Sequence, residues 1–208
     1  MTKLYYISPS LFLLAFFLFV TSCSSTSGLE EGEQLYTGLK KINYADFKSD
    51  THSEYVKAEV EAALAAAPNG ALLGSSYYRT PFQLRLWMWN AFHSDSTALG
   101  RWLTRSFGRA PILMSHVNPA LRASVAQSVF QKHGYFQGRV GYSCITGRNP
   151  KKGKIQYEVV FNRLYTLDTI RYLNFPPEAE QIIARSLSST LLHQGDAFDV
   201  SVLDKERQ

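Results

Sequence analysis

The 208-residue chain is 45% hydrophobic and 19% charged, which leaves enough apolar side chains for a core and excludes bulk disorder. Its formal net charge of +5 is spread out with no dense Lys/Arg stripe, so composition makes no case for nucleic-acid binding. Two cysteines, Cys23 and Cys144, exclude a disulfide framework.

The first residues are unlike the rest. Lys3 gives a short positive start, and Ile7 to Val20 is apolar except for Ser8, Pro9 and Ser10. At about 1.5 Å per residue this run is too short to cross a hydrocarbon layer of about 30 Å. A signal peptide over residues 1–22 fits the charge, the short apolar run and the small residues behind it. Val20-Thr21-Ser22-Cys23 resembles a bacterial lipobox, with an apolar residue three positions before the cysteine and a small one just before it. Lipidation at Cys23 is therefore expected, with the mature chain held to a lipid bilayer by its acyl chains. Cys144 is then alone and reads as a small buried hydrophobe, not a nucleophile. Residues 23–34 are polar and small, the composition of a tether, and the folded part is expected to begin near Leu35.

"LYTGLKKINY" reads as a strand, with Tyr36, Leu39, Ile42 and Tyr44 in imperfect alternation. Ser53 is expected to cap a helix that buries Val56, Val60, Ala63, Leu64 and Ala67 and ends at Pro68-Asn69-Gly70. Residues 71–117 hold all three tryptophans, and Leu84, Leu86 and Met88 alternate with Arg85, Trp87 and Trp89. Trp and Tyr beside Arg can mark a membrane interface, but aromatics mostly serve packing, and a satellite core is the favoured reading. Asn118 and Pro119 open a second helix with Leu121, Val125, Val129 and Phe130 as its apolar face. Lys132 and His133 close it, His133 as compensation for the helix dipole, and Gly134 is the left-handed cap. "YFQGRVGYSC" alternates, with Phe136, Val140, Tyr142 and Cys144 on one side. "TGRNPKKG" is a polar turn, and "KIQYEVVF" alternates again through Ile155, Tyr157, Val159 and Phe161. From residue 164 the series starts over: a Leu-Tyr-Thr strand, then a helix opened by Pro176 and Pro177 whose face is Ile182, Ile183, Leu187 and Leu191. Gly195 breaks it, and another helix begins near Asp199 or Ser201. This second series stops part-way, as expected for a piece of a longer protein.

Enzymatic signatures are missing. Five histidines are scattered, no HExxH or CxxC is present, and no metal or other cofactor is expected. "GRNPKKGK" has the wrong spacing for a phosphate loop and joins two strands, where a phosphate loop runs from strand to helix.

The order strand, helix, helix, strand, strand, with a second series starting at once, resembles the POTRA modules of the BamA and TamA family of outer-membrane assembly factors. The residues that carry the resemblance are "VFQKHGYFQGRV", with Gly134 and Tyr135 at the helix–strand junction, and "QGDAFDVSVLDKER", with Gly195 and Phe198. With the lipobox, the chain is similar to the lipidated TamA-like branch. The resemblance implies an α+β fold of tandem POTRA modules. The first would span residues 35–163 with an insertion at about 71–117, and the second, incomplete, residues 164–208. It also implies a lipid-anchored outer-membrane arm facing the periplasm that guides unfolded outer-membrane proteins. A C-terminal barrel outside this chain and a periplasm-spanning component would be its other partners. No catalytic residue is implied. Arg139, Val140, Gly141, Tyr142 and Ser143 would form a strand edge that accepts an incoming strand. A general lipid-anchored protein-binding module is the alternative, and an exported hydrolase has no constellation to support it.

Overall fold

Helices and strands are mixed along the chain in the computed structural model, which describes residues 25–171 and 174–207. Residues 1–22, expected to be a signal peptide, and Cys23 lie outside the described residues. The elements are β1 (Leu35–Leu39), β2 (Asn43–Ala45), α1 (Thr51–Leu64), α2 (Leu84–Phe92), α3 (Ala98–Phe107), α4 (Met114–Val117), α5 (Pro119–Lys132), β3 (Arg139–Thr146), β4 (Lys152–Val160), α6 (Pro177–Ser186) and α7 (Val200–Glu206). The class is α+β, as expected. Backbone contacts divide the chain into two units. One comprises residues 25–38, 67–117 and 146–154, the other residues 39–66, 118–145 and 155–207.

In the second unit β4 is the central strand. Lys40 donates its N–H to the Ile155 carbonyl at 2.8 Å, and β2 continues the same parallel register, Asn43 opposite Glu158 and Ala45 opposite Val160. β3 pairs with β4 through the 147–151 turn and is therefore antiparallel to it. The alternation expected of β4 holds: Ile155, Tyr157, Val159 and the following Phe161 are all buried. Helix α1 buries Val56, Val60 and Leu64 at helical spacing. Its cap is Asp50 and not Ser53, because Asp50 accepts from the Ser53 N–H while the Ser53 hydroxyl accepts from the Asp50 N–H, a reciprocal capping box. Ala67, expected on the buried face, lies beyond the helix and is exposed.

Helix α5 is capped by Asn118, whose side chain accepts from the Leu121 N–H, with Pro119 in the first turn. Of the expected apolar face only Phe130 is buried, and Val129 is half-buried. Ala123, Ala126 and Phe130 point inward, while Leu121 and Val125 are exposed. The reason is closeness of approach: α5 packs on α1, and alanines at the contact leave no room for larger side chains. Arg122 fastens the pair by donating to the Ala65 carbonyl at 2.6 Å, at the end of α1. Phe130 meets Phe161 edge-on at 4.8 Å, which seats the helix on the sheet.

Residues 164–171, the described part of the "LYTLDTIRYL" segment, do not form the expected strand. Among the described residues Thr166 makes one isolated antiparallel bridge to Ala197, with Leu167 and Tyr165 hydrogen-bonded to residues 195–198. Helix α6 opens at Pro176 and Pro177 as expected and ends at Ser186, well before Gly195. Its apolar side chains Ile182 and Leu187, with Leu191 beyond, stay exposed.

In the first unit Leu35 donates to the Lys151 carbonyl at 2.9 Å, placing the start of β1 alongside the start of β4. Asn69, buried, joins the ends of the insertion: it donates to the Ala110 carbonyl at 2.8 Å and accepts from the Ile112 N–H at 2.6 Å. Residues 112–114 then run along β1, with Tyr36 donating to Ile112 and Met114 to Gln34. Residues 84–89 are helical where the sequence alternates, because Leu84, Trp87, Met88 and Ala91 also satisfy helical spacing. The favoured satellite core is not what the insertion builds. Leu86 and Val117 are its buried hydrophobic side chains among the described residues, and Phe82, Leu84, Leu99 and Trp102 are more than half exposed. Residues 25–34 also differ from a solvated tether: Thr26 is buried, and Gln34 donates to the Pro150 carbonyl at 3.0 Å.

Candidate functional site

The candidate edge is β3. Among the described residues its sole strand partner is β4. Gly141 lies against Glu158 of β4, whereas the Val140 N–H is held by the Gln127 side-chain oxygen at 3.3 Å. Both backbone groups of a strand residue point to the same side, and the side alternates along the strand. Val140, Tyr142 and Cys144 therefore turn their N–H and C=O groups away from β4, and Arg139, Gly141 and Ser143 turn theirs towards it. Gln127 also donates to the Gly138 carbonyl at 2.6 Å, so one side-chain amide closes the start of the edge. Beyond it, residues 141–144 are all exposed and Tyr142 is about half exposed. The expected one-sided alternation is absent: Val140 and Ile145 are half-buried, and the residues between them on both faces are exposed. Cys144 is accordingly a free, exposed thiol and not a buried hydrophobe.

The opposite side of the sheet is not equally open. The start of β1 is covered in the first unit by residues 112–114, and β2 is only three residues long. An exposed strand edge is a template for an incoming chain.

Gly134 and Tyr135 sit where α5 turns into β3. Gly134 has φ +82°, and a side chain there would come within 2.8 Å of the Phe198 carbonyl oxygen and 3.0 Å of that of Tyr165. Only glycine permits both the backbone conformation and that approach. Tyr135 is buried and meets Phe161 edge-on at 5.1 Å. Phe198 contacts the Phe136 ring at 5.1 Å and donates its N–H to Tyr165, and Gly195, with φ +92°, donates to Leu167. The motif residues thus tie the 164–199 segment to the end of α5.

Beside Gly134 lies a feature that the sequence reading missed. His133 is fully buried, with Nδ1 2.8 Å from Asp199 Oδ2 and Nε2 3.0 Å from Glu59 Oε2. Both ring nitrogens lie within hydrogen-bond distance of carboxylate oxygens, which can accept from ring N–H groups. Tyr55 donates to the other Glu59 oxygen at 2.6 Å, and Asp199 also accepts from the Ser201 N–H at 2.7 Å and from the Ser201 hydroxyl. The Glu59 carboxyl is held below its ordinary value by the Tyr55 and His133 hydrogen bonds, against burial. Burial pushes the Asp199 carboxyl up, but hydrogen bonds from Ser201 and His133 outweigh it and leave it lowered. Both nitrogens of His133 are engaged by side chains and the ring is fully buried. It links three segments. Simple dipole compensation does not describe it: the partners are side chains 74 and 66 residues away, a separation no local sequence signal reveals.

A cavity of about 210 Å³ lies next to this cluster, lined by His52, Leu167, Leu191, Asp196, Asp199 and Leu203 among others. Among the described residues no cluster of His, Cys, Asp or Glu is arranged to hold a metal ion, and no helix is long and apolar enough to cross a membrane. No protein-family model, no curated protein and no solved structure matches the chain.

Proposed function

We propose that this chain is the substrate-guiding arm of a lipid-anchored outer-membrane assembly factor, and that unfolded outer-membrane protein segments dock on β3 by strand addition. The observation that carries the reading is the β3 edge: among the described residues it pairs with β4 alone, and residues 141–144 are exposed. Strand addition recruits backbone groups for affinity, so it requires no catalytic side chain. The order β, α, α, β, β with the last strand central supports a POTRA-like module. So does the Gly134-Tyr135 junction, which is committed to packing and leaves the edge free. In this reading residues 164–207 begin a second module, Cys23 carries the acyl anchor on the periplasmic side of the outer membrane, and a barrel outside this chain receives the substrate. The docking register is 142–146, narrower than 139–143, because Gln127 already holds the Val140 donor.

Fluorescence anisotropy of a labelled outer-membrane strand peptide tests this directly. Tyr142→Pro deletes an outward donor and is expected to weaken binding about tenfold, while Tyr142→Ala, which keeps the backbone, changes it little. Equal affinity for Tyr142→Pro and the parent chain, with matching circular dichroism, would remove β3 as the docking edge.

A further inference from the structure

The insertion exposes aromatic side chains that a folded chain ordinarily buries. Helices α2 and α3 pack on each other, yet each keeps an apolar face in solvent. On α2 these are Leu84 and Trp87, three residues apart, and on α3 Leu99 and Trp102, again three apart. Phe82 and Phe107 extend the two faces, and Trp102 and Phe107 support each other edge-on at 5.5 Å. The inward side of α3 is Gly100, whose lack of a side chain allows close packing, so Leu99 and Trp102 are outward by the geometry of the helix.

The charge around these faces is one-sided. Arg85, Arg101, Arg105 and Arg109 are exposed, and none is in an ion pair among the described residues. The one acidic residue between 71 and 117 is Asp95, and it is occupied at the start of α3, where it accepts from the Thr97 N–H at 2.8 Å. We infer that residues 82–109 form a second membrane contact, lying in the interface of an anionic bilayer independently of any anchor at Cys23. Aromatic rings with arginines at their margin match the boundary between acyl chains and headgroups, where the rings are desolvated and the guanidinium groups reach the phosphates. A second copy of this surface is disfavoured, since it would bring two unpaired arginine clusters together. A neutral apolar partner would leave those arginines without counter-charge.

All three tryptophans, Trp87, Trp89 and Trp102, belong to this segment, so intrinsic fluorescence reports on it alone. The full chain is mixed with vesicles whose acyl chains are brominated. One set contains phosphatidylglycerol and phosphatidylcholine in equal parts and the other phosphatidylcholine only. Quenching on the anionic vesicles, lost in high salt and weak on the neutral ones, is the expected result. Arg101→Gln with Arg105→Gln should weaken vesicle affinity of the patch by about thirtyfold, and Trp102→Ala is a second variant that keeps the charge. Both are checked for unchanged circular dichroism. Full chain that is bound to vesicles but unquenched would overturn the inference, because an anchor would then be holding the protein while the patch stays in water. Equal quenching on neutral vesicles would also overturn it. So would a lipid-independent blue shift that grows with protein concentration, which would mean that a second copy covers the patch.

Discussion

Two groups of aromatic residues in this chain meet opposite fates. Phe130, Tyr135 and Phe161 are almost fully buried and contact one another edge-on or tilted at 4.8 to 5.8 Å. Phe82, Trp87, Trp102 and Phe107, in the insertion, are 40 to 67% exposed. The residue types are the same, and what differs is the scaffold. The first group sits between a sheet and two helices that approach closely through alanines. The second sits on the short helices α2 and α3, which pack on each other and leave these rings in solvent. Aromatic content therefore says how much apolar area a segment carries, and the layers around it decide whether that area is used for stability or for contact with something else.

The comparison breaks most directly by truncation. Phe161→Ala should lower stability by about 3–5 kcal/mol in urea unfolding, whereas Phe82→Ala should stay within about 0.5 kcal/mol. Similar losses for both would show that the insertion has a core of its own. His133→Ala should come next, at about 3 kcal/mol, since hydrogen bonds to charged groups contribute about 1.5–3 kcal/mol and Glu59 is partly solvated. The pH dependence is fixed in sign. Both Glu59 and Asp199 bind their protons less readily in the folded chain than in the unfolded one. Their stabilisation is present above about pH 4 and is lost as pH falls through the lowered folded values. A plot of melting temperature against pH should show this acid-side loss in the parent chain and a shallower one in His133→Ala.

Hydrogen exchange sharpens the contrast within the second unit. Residues 164–207 leave Ile182, Leu187 and Leu191 exposed, so their amides should exchange faster than those of 118–162. Equal protection would mean that the segment is stabilised by more than its link to Gly134 and His133. The smallest effect concerns the Tyr157 hydroxyl, which is buried without a hydrogen-bond partner among the described residues and is pushed up to about 12 by burial. Tyr157→Phe removes an unsatisfied group and should raise stability by about 1 kcal/mol.

The sequence was legible where periodicity and caps agree. β4 alternates without exception, and Asn118-Pro119 and Gly134 mark the two ends of α5. It misled where the pattern admits two readings: Leu84 to Trp89 alternates and is also helical, and on α5 Leu121 and Val125 looked like core beside Phe130, although Ala123 and Ala126 are the residues buried with it. The His133 cluster was out of reach because Glu59 and Asp199 are distant in sequence and only tertiary structure brings them together. Exposure of β3 was legible only indirectly. An alternating strand normally has one buried face, and whether a layer covers it is not written in the strand.

The central claim, docking on β3, is tested most directly through the protein's own thiol. Cys144 is exposed and lies on the outward register of β3. With Cys23→Ala leaving Cys144 as the sole cysteine, a series of outer-membrane strand peptides, each with one cysteine at successive positions, is oxidised against the chain. Strand addition places only alternate peptide residues on the same face as Cys144 and within disulfide range of about 4.4–6.8 Å between Cα atoms. The expected result is a cross-link yield that rises and falls with a period of two residues. A yield independent of cysteine position, or no cross-link to a peptide that still binds, would contradict the account.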